Sequence, residues 1–331
     1  MPRSRLLPDN FTLALLGTVL LASLLPATGA LAGRLEHATT AVVALLFFMH
    51  GAKLSRQAVL AGIGHWRLHL LVVLCTFALF PVLGLLLKPV LTPLVTPELY
   101  TGVLFLCVLP ATVQSAIAFT AVAGGNMAAA VCSASASTLL GIFITPVLVS
   151  LVLPQAASAG QDVLGGIGRI MLQLMLPFAC GHLLRPWIAG FMARRAAALK
   201  YVDQGSVLLV VYTAFSAAVA GGLWQLLPLP ALAGLLVVCA VLLGLALGFT
   251  TWLSRRLGFS REDEITIVFC GSKKSLVSGV PMAKVLFDSQ AAGAIVLPLM
   301  VFHQMQLMVS AVLAQRYARQ GRMRAGAAVA P

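Results

Sequence analysis

The sequence predicts an all-α polytopic membrane protein with ten transmembrane helices, and three observations lead to that prediction. The 331-residue chain is 60% hydrophobic and only 9% charged, with a mean hydropathy of +1.01, a balance that soluble domains do not have. Apolar windows of about 20 residues, the length that crosses a bilayer, follow one another along the chain. The basic residues are concentrated in the short segments between these windows, as the positive-inside rule expects.

The ten windows define the predicted helices in chain order. The first could also be a cleaved signal peptide, because Arg3 and Arg5 precede an apolar run, but a retained span is favoured since nine more follow. The second window is short, so its helix is expected to continue toward Leu60. The predicted spans are residues 11–31, 38–52, 68–87, 99–123, 127–153, 163–184, 205–224, 231–253, 265–287 and 291–314.

The loop charges set the predicted orientation. If the N-terminus lies in the cytoplasm, most Lys and Arg residues fall in inner loops and tails, whereas Arg34, Lys88 and Arg169 lie toward the outside. Both termini are then cytoplasmic, and residues 315–331 form a cytoplasmic tail. This distribution also accounts for the net charge of +13, so no nucleic-acid partner is expected.

The sequence offers little to support a catalytic or metal-dependent function. The six cysteines lie singly in apolar runs, without the paired spacing of a metal site or a redox motif. No nucleotide-binding motif, membrane zinc pair or nucleophile elbow is recognisable. The protein is therefore predicted not to be an enzyme and to use no cofactor or metal, although a membrane-embedded enzyme remains an open alternative.

Two predicted spans are interrupted near their middle. Span four contains Leu-Pro-Ala-Thr-Val-Gln-Ser at 109–115, and span nine contains Cys-Gly-Ser-Lys-Lys-Ser at 270–275. Each is the fourth span in a group of five, and a duplicated unit with an odd number of spans must enter the membrane upside down. The matched breaks predict two inverted five-helix repeats, residues 11–153 and 163–314, within one transmembrane unit that covers 1–331.

Lys273 and Lys274 are the residues least expected in a membrane span. A charge at bilayer depth costs roughly 2.5–3.5 kcal/mol on insertion scales, so it needs a cavity or a partner. Adjacent helical residues point about 100° apart, which leaves open which lysine faces the crossing. No acidic residue lies within another predicted span, and snorkelling of one or both ammonium groups to an interface is the structural alternative.

The polar residues at the two breaks form the predicted crossing for a substrate or an ion, and five further residues are candidates for supporting it. Each supporting residue also has an ordinary explanation as a turn residue, a packing contact or an interhelical hydrogen bond. The predicted crossing consists of Thr112, Gln114, Ser115, Ser272, Lys273, Lys274 and Ser275, and the supporting candidates are Asn126, Ser137, Thr138, His303 and Gln304.

A family resemblance is carried by residues 47–55, 123–126, 137–140 with 145–146, 269–281 and 298–306. These stretches resemble the bile acid:sodium symporter superfamily, and in particular its bacterial branch related to the seventh member of human solute-carrier family ten. The resemblance implies a ten-helix transporter of the bacterial inner membrane. It also implies a panel domain and a core domain, with the broken helices four and nine crossing in the core.

The resemblance further implies sodium ligands that this chain has largely lost. The Ser-Asn pair of the relatives corresponds to Ser115 and Ala116, and two helix-five ligands correspond to Ala130 and Ala134. A helix-nine Glu falls at or beside Phe269, and a Gln falls at Lys273. Sodium coupling is therefore expected to be weak or absent, with Lys273 as a tethered cation near the end of the half-helix at Gly271. Sodium and proton coupling both remain open.

The sequence thus predicts a secondary-active transporter of a small organic anion that works by alternating access. Its predicted partners are that solute and the lipid bilayer, and the oligomeric state remains open. A passive channel or facilitator, in which the polar breaks line a pore, is the main alternative function.

Overall fold

The computed structural model describes residues 10–53, 63–153, 163–226, 228–287 and 289–327, and its regular elements there are all helices. Within these residues, six helices are long and apolar enough to cross a membrane. The prediction of an all-α polytopic membrane protein is therefore confirmed. The expected continuation of the second helix toward Leu60 lies outside the described residues.

Twelve helices, leaving aside short turns, organise the described part of the chain. They are α1 (Asn10–Leu24), α2 (Gly29–Lys53), α3 (Trp66–Leu86), α4 (Pro97–Val108), α5 (Gln114–Ala123), α6 (Met127–Val152), α7 (Val163–Arg194), α8 (Ala196–Ala220), α9 (Leu229–Arg256), α10 (Arg261–Gly271), α11 (Leu276–Leu286) and α12 (Ser289–Ala327).

Several helix boundaries differ from the predicted spans, among them the end of α7 at Arg194 rather than residue 184 and the start of α8 at Ala196 rather than residue 205. The first helix ends at Leu24, because Pro26 cannot continue it, and α2 begins at Gly29 rather than at residue 38. The turn between them uses a positive φ of 57° at Gly29. At the other end of the chain, α12 continues to Ala327, so most of the predicted tail is helical.

Helices α2 and α7 approach each other closely at two glycines. A Cβ atom added to Gly51 would lie 2.0 Å from the Phe178 carbonyl oxygen, and one added to Gly181 would lie 1.9 Å from that of Phe48. Small residues allow such backbone contact between apolar helices, where dispersion replaces the hydrophobic effect as the source of attraction. The two helices therefore form one unit on one side of the molecule.

A cluster of polar side chains holds α10 against its neighbours. Glu264 accepts two hydrogen bonds from Arg255 on α9, at 3.0 and 2.9 Å, and one from the Tyr317 hydroxyl on α12 at 2.9 Å. Asn126 caps the start of α6 and also donates to Asp263 at 2.9 Å. These contacts fix the position of α10 and so of the break that follows it.

Candidate functional site

The two helix breaks contact each other directly. Helix α4 ends at Val108 before Pro110, and α10 ends at Gly271. The backbone becomes extended or irregular after each of these helix ends. The Ser275 N–H donates a hydrogen bond to the Pro110 carbonyl oxygen at 2.9 Å. Backbone of this kind is tolerated at membrane depth where it is enclosed by protein or lines a cavity.

Two hydroxyl groups of α6 satisfy main-chain groups that the first break leaves without helical partners. The Ser137 hydroxyl accepts from the Ala111 N–H at 2.9 Å, and the Thr145 hydroxyl donates to the Val108 carbonyl at 2.9 Å. Ser137 was a predicted supporting residue, and its buried hydroxyl holds the break in shape. Thr138, the next residue, donates to the Ala134 carbonyl within its own helix.

The ammonium group of Lys274 lies among main-chain carbonyls. Its Nζ donates to the carbonyl oxygens of Thr76 at 2.7 Å, Cys107 at 2.8 Å and Leu109 at 2.8 Å. It also lies 4.2 Å from the centroid of the Phe80 ring. The side chain is completely buried, and its charge sits at the negative, C-terminal end of α4.

The backbone of Lys274 is held by a glutamine that the sequence analysis did not include among the site residues. The Lys274 N–H donates to Gln306 Oε1 at 2.8 Å, and Gln306 Nε2 donates to the Lys274 carbonyl at 2.8 Å. Gln306 Nε2 also lies 2.9 Å from Nδ1 of His303. A fully buried polar side chain at a helix break was the available signal, because such a group needs internal partners.

Lys273 points away from the carbonyls that hold Lys274. Its Nζ donates a long hydrogen bond of 3.4 Å to the Ser115 carbonyl and lies 3.9 Å from the Phe119 ring centroid and 5.1 Å from that of Phe269. The expectation that Lys273 compensates the half-helix ending at Gly271 stays a prediction. In the structure Lys274 has such a role, at the end of α4.

A cavity of about 520 Å³ lies beside the breaks. Its lining residues come from α1, α2, α7 and α8 and from the breaks together with α5, α6, α11 and α12. Ser272, Lys273 and Lys274 are buried and do not line it, and Asn126 and Gln304 do not line it either. The predicted residues that line it are Thr112, Gln114, Ser115, Thr138, Ser275 and His303.

The same cavity is lined by charged residues that the sequence analysis missed. Asp203 lies two turns inside α8 and is only 5% exposed, so the expectation of no acidic residue within another span is wrong. Asp203 forms an ion pair with Lys53. Lys53 is the last residue of α2 and lies one helical turn after His50. The predicted seventh span began at residue 205, two residues too late to include it.

Some polar atoms of this wall have no hydrogen-bond partner within the described part of the chain. They are the buried Nδ1 of His50 and Oδ1 of Asp203. A second cavity of about 440 Å³ adjoins the first and shares Lys53, Lys200 and Asp203 with it, and it adds Arg185. Three basic side chains and one carboxylate therefore lie in the lining of the two cavities.

A bundle of apolar helices built around two interrupted helices, whose breaks meet beside a polar cavity, is the architecture of a membrane transporter. Residues 9–319 match the SBF-like CPA transporter family (DUF4137), and the chain belongs to that family. The resemblance to the bile acid:sodium symporter superfamily is thereby confirmed.

The relatives cover nearly the whole chain. It is 65% identical over 320 residues to "Uncharacterized protein PA2026" of Pseudomonas aeruginosa, which is 97% of this chain and 96% of the relative. It is 58% identical over 315 residues to "Putative symporter YfeH" of Escherichia coli, with 94% and 93% covered. It is 28% identical over 298 residues to "Sodium/bile acid cotransporter 7" of Mus musculus, with 88% and 87% covered.

Proposed function

We propose that the protein is a secondary-active transporter of a small organic anion in the bacterial inner membrane. The observation that supports this most directly is the cavity of about 520 Å³ between α2, α7 and α8 and the paired breaks. Its volume falls within the roughly 300–1,000 Å³ of small-molecule sites. Its walls combine apolar side chains with a few convergent polar groups, as such sites do.

The charge around the cavity supports an anionic solute. Lys53, Lys200 and Arg185 stand against Asp203 along the route to the second cavity. A low-dielectric wall strengthens the field of these groups over its value in water. A solute carboxylate or sulfonate would be drawn toward this end, with Gln114 and Ser115 available to hydrogen-bond its uncharged part.

Alternating access is supported by a difference between the contacts at the two ends of α2. Glu36 and Lys53 are 17 positions apart on α2, or about 25 Å along the helix axis. At the Glu36 end, an ion pair of 2.7 Å between Lys284 and Glu36 joins α11 to α2. At the Lys53 end the two cavities share the lining residues Lys53, Gln114, Lys200 and Asp203.

We also propose ten transmembrane helices in two inverted repeats, 11–153 and 163–314, with both termini in the cytoplasm. In that topology α4 with α5 and α10 with α11 are interrupted spans that occupy equivalent positions. The contact between Ser275 and Pro110 supports it. The basic end of the cavity route then faces the cytoplasm, in agreement with the positive-inside rule.

Sodium is proposed not to drive this transporter. Ala116, Ala130, Ala134 and Phe269, which correspond to ligand positions of sodium-coupled relatives, are buried and offer no side-chain oxygen. Sodium prefers hard oxygen ligands, so its site is incomplete without them. A proton is the other coupling ion that the sequence leaves open.

Flux through the purified protein tests the proposal. Proteoliposomes would be assayed for uptake and counterflow of radiolabelled benzoate, glutarate, p-aminohippurate and taurocholate, with choline as a cationic comparison. A transporter gives saturable uptake of at least one anion that is accelerated by the same anion inside, and Gln114→Ala lowers it while Arg319→Gln does not. Non-saturable flux without counterflow would indicate a channel, and uptake of choline alone would overturn the anionic class.

A further inference from the structure

Three main-chain carbonyl groups converge on the Lys274 ammonium because their normal helical partners are absent. The Ala111 N–H, which would bond Cys107 in a continued helix, donates to Ser137 instead. Thr76 lies in a π-helical turn, Cys75–Leu79, in which its carbonyl would pair with residue 81. Residue 81 is a proline, which has no N–H.

The surroundings of this ammonium group are electrostatically negative on several sides. Three carbonyl oxygens lie at 2.7–2.8 Å and match its three N–H donors. The C-terminal end of α4 adds the negative pole of the helix dipole, and the face of the Phe80 ring lies 4.2 Å away. Enclosed groups of carbonyl oxygens also bind dissolved monovalent cations in channel filters.

We propose that these carbonyls form a monovalent-cation site that the Lys274 ammonium fills permanently. The tethered charge holds α3, the end of α4 and the second break together, so the crossing needs no dissolved cation to be stable. Removing the side chain would leave three buried carbonyls around a space of ammonium size. A free Na⁺, K⁺ or NH₄⁺ ion would then bind there, whatever solute the protein carries.

The adjacent lysine provides a matched control. Lys273 is equally buried, but its ammonium has one carbonyl at 3.4 Å and two aromatic rings around it. Its removal leaves an apolar hole between Phe119 and Phe269 rather than a carbonyl cage. The two lysines therefore differ in the property that the proposal depends on.

The test measures the thermal stability of purified wild type, Lys274→Ala and Lys273→Ala in detergent. Each is heated in choline chloride and in NaCl, KCl or NH₄Cl at equal ionic strength. We expect Lys274→Ala to have the lowest Tm in choline and to gain several degrees, saturably, with at least one small cation. The Tm of wild type should be the same in all four salts, and so should the Tm of Lys273→Ala.

Two outcomes would overturn the proposal. One is a Lys274→Ala protein whose Tm is the same in choline as in the three small-cation salts. The other is a gain of the same size in Lys273→Ala or wild type, which would be a general salt effect. If Lys274→Ala does not accumulate, Lys274→Gln and Lys273→Gln are compared instead. Only Lys274→Gln should have a substantially lower Tm than wild type. A loss of Tm in Lys274→Gln that is equal to or smaller than that in Lys273→Gln would contradict the proposal.

Discussion

Lys53 of α2 and Asp203 of α8 form an ion pair on the wall of the cavity that faces the two helix breaks. The Asp203 carboxylate is buried and uses one oxygen for Lys53, while the other oxygen has no hydrogen-bond partner within the described residues. An anionic solute entering the cavity would compete with this carboxylate for the lysine.

The ion pair can be tested by a double-mutant cycle. Lys53→Gln leaves a buried carboxylate without its charge partner, and such a loss costs about 1–3 kcal/mol. The double variant Lys53→Gln with Asp203→Asn carries no uncompensated charge and should recover most of that stability. The apparent Tm is measured in one detergent for wild type, Lys53→Gln, Asp203→Asn and the double variant. A loss in the double variant equal to the sum of the two single losses would show that the pair is not coupled.

The basic route out of the cavity should determine affinity for the transported anion. Lys200→Gln or Arg185→Gln removes one positive charge and should raise KM on the order of three- to tenfold, which corresponds to about 1 kcal/mol of lost attraction. The maximal rate should change little. Arg319 lines neither cavity, so Arg319→Gln is the control. A fall in maximal rate with constant KM would place these charges in the conformational cycle instead.

The glycines between α2 and α7 give a stability prediction with a clear control. An added methyl at Gly51 or Gly181 would lie at about 2 Å from a main-chain carbonyl oxygen, so the helices must separate. Gly51→Ala and Gly181→Ala should each cost about 1–3 kcal/mol or more by overpacking. Gly17→Ala meets nothing within 4 Å and should leave the Tm unchanged or slightly higher. Equal behaviour of the three variants would contradict the close helix contact.

The helical class and the location of the breaks could be predicted because both depend on local features. Long apolar windows identify α6 and α9 to within a few residues, and Pro110 and Gly271 mark the breaks. The start of α2 was missed because Arg34 and Glu36 lower the hydropathy of a turn that is nevertheless helical. Asp203 was missed because a hydropathy window excludes the polar turns at a helix end.

The orientation of the two lysines could not be predicted from the chain. It depends on which carbonyls are left free by the π-helical turn of α3 and by the end of α4, and these segments are far from residue 274 in sequence. Gln306 is a similar case, because its partner is the backbone of another helix. Such contacts arise only when the helices are packed together.

Transport is predicted to be independent of sodium. The family resemblance implies that sodium-ligand positions are occupied here by Ala116, Ala130, Ala134 and Phe269, none of which offers a side-chain oxygen. Uptake of the transported anion into proteoliposomes should therefore be the same when choline replaces sodium at constant pH. An increase of uptake with an inward pH gradient, acidic outside, would indicate proton coupling. Steep sodium dependence of the wild type would reveal a cation site elsewhere and contradict this prediction.

The Glu36–Lys284 ion pair should hold the cavity closed at the end opposite Lys53. Lys284 is nearly buried while Glu36 is half-exposed, and the pair joins α2 to α11 with an N–O distance of 2.7 Å. Glu36→Gln removes the charge attraction and should increase the time for which that end is open.

The opening can be measured with a cysteine in place of Ser135, which lines the cavity, in a background without the native cysteines. Its labelling by a membrane-impermeant maleimide in right-side-out vesicles should rise severalfold in Glu36→Gln. Unchanged labelling, with labelling in inverted vesicles also unchanged, would show that this ion pair does not control access to the cavity.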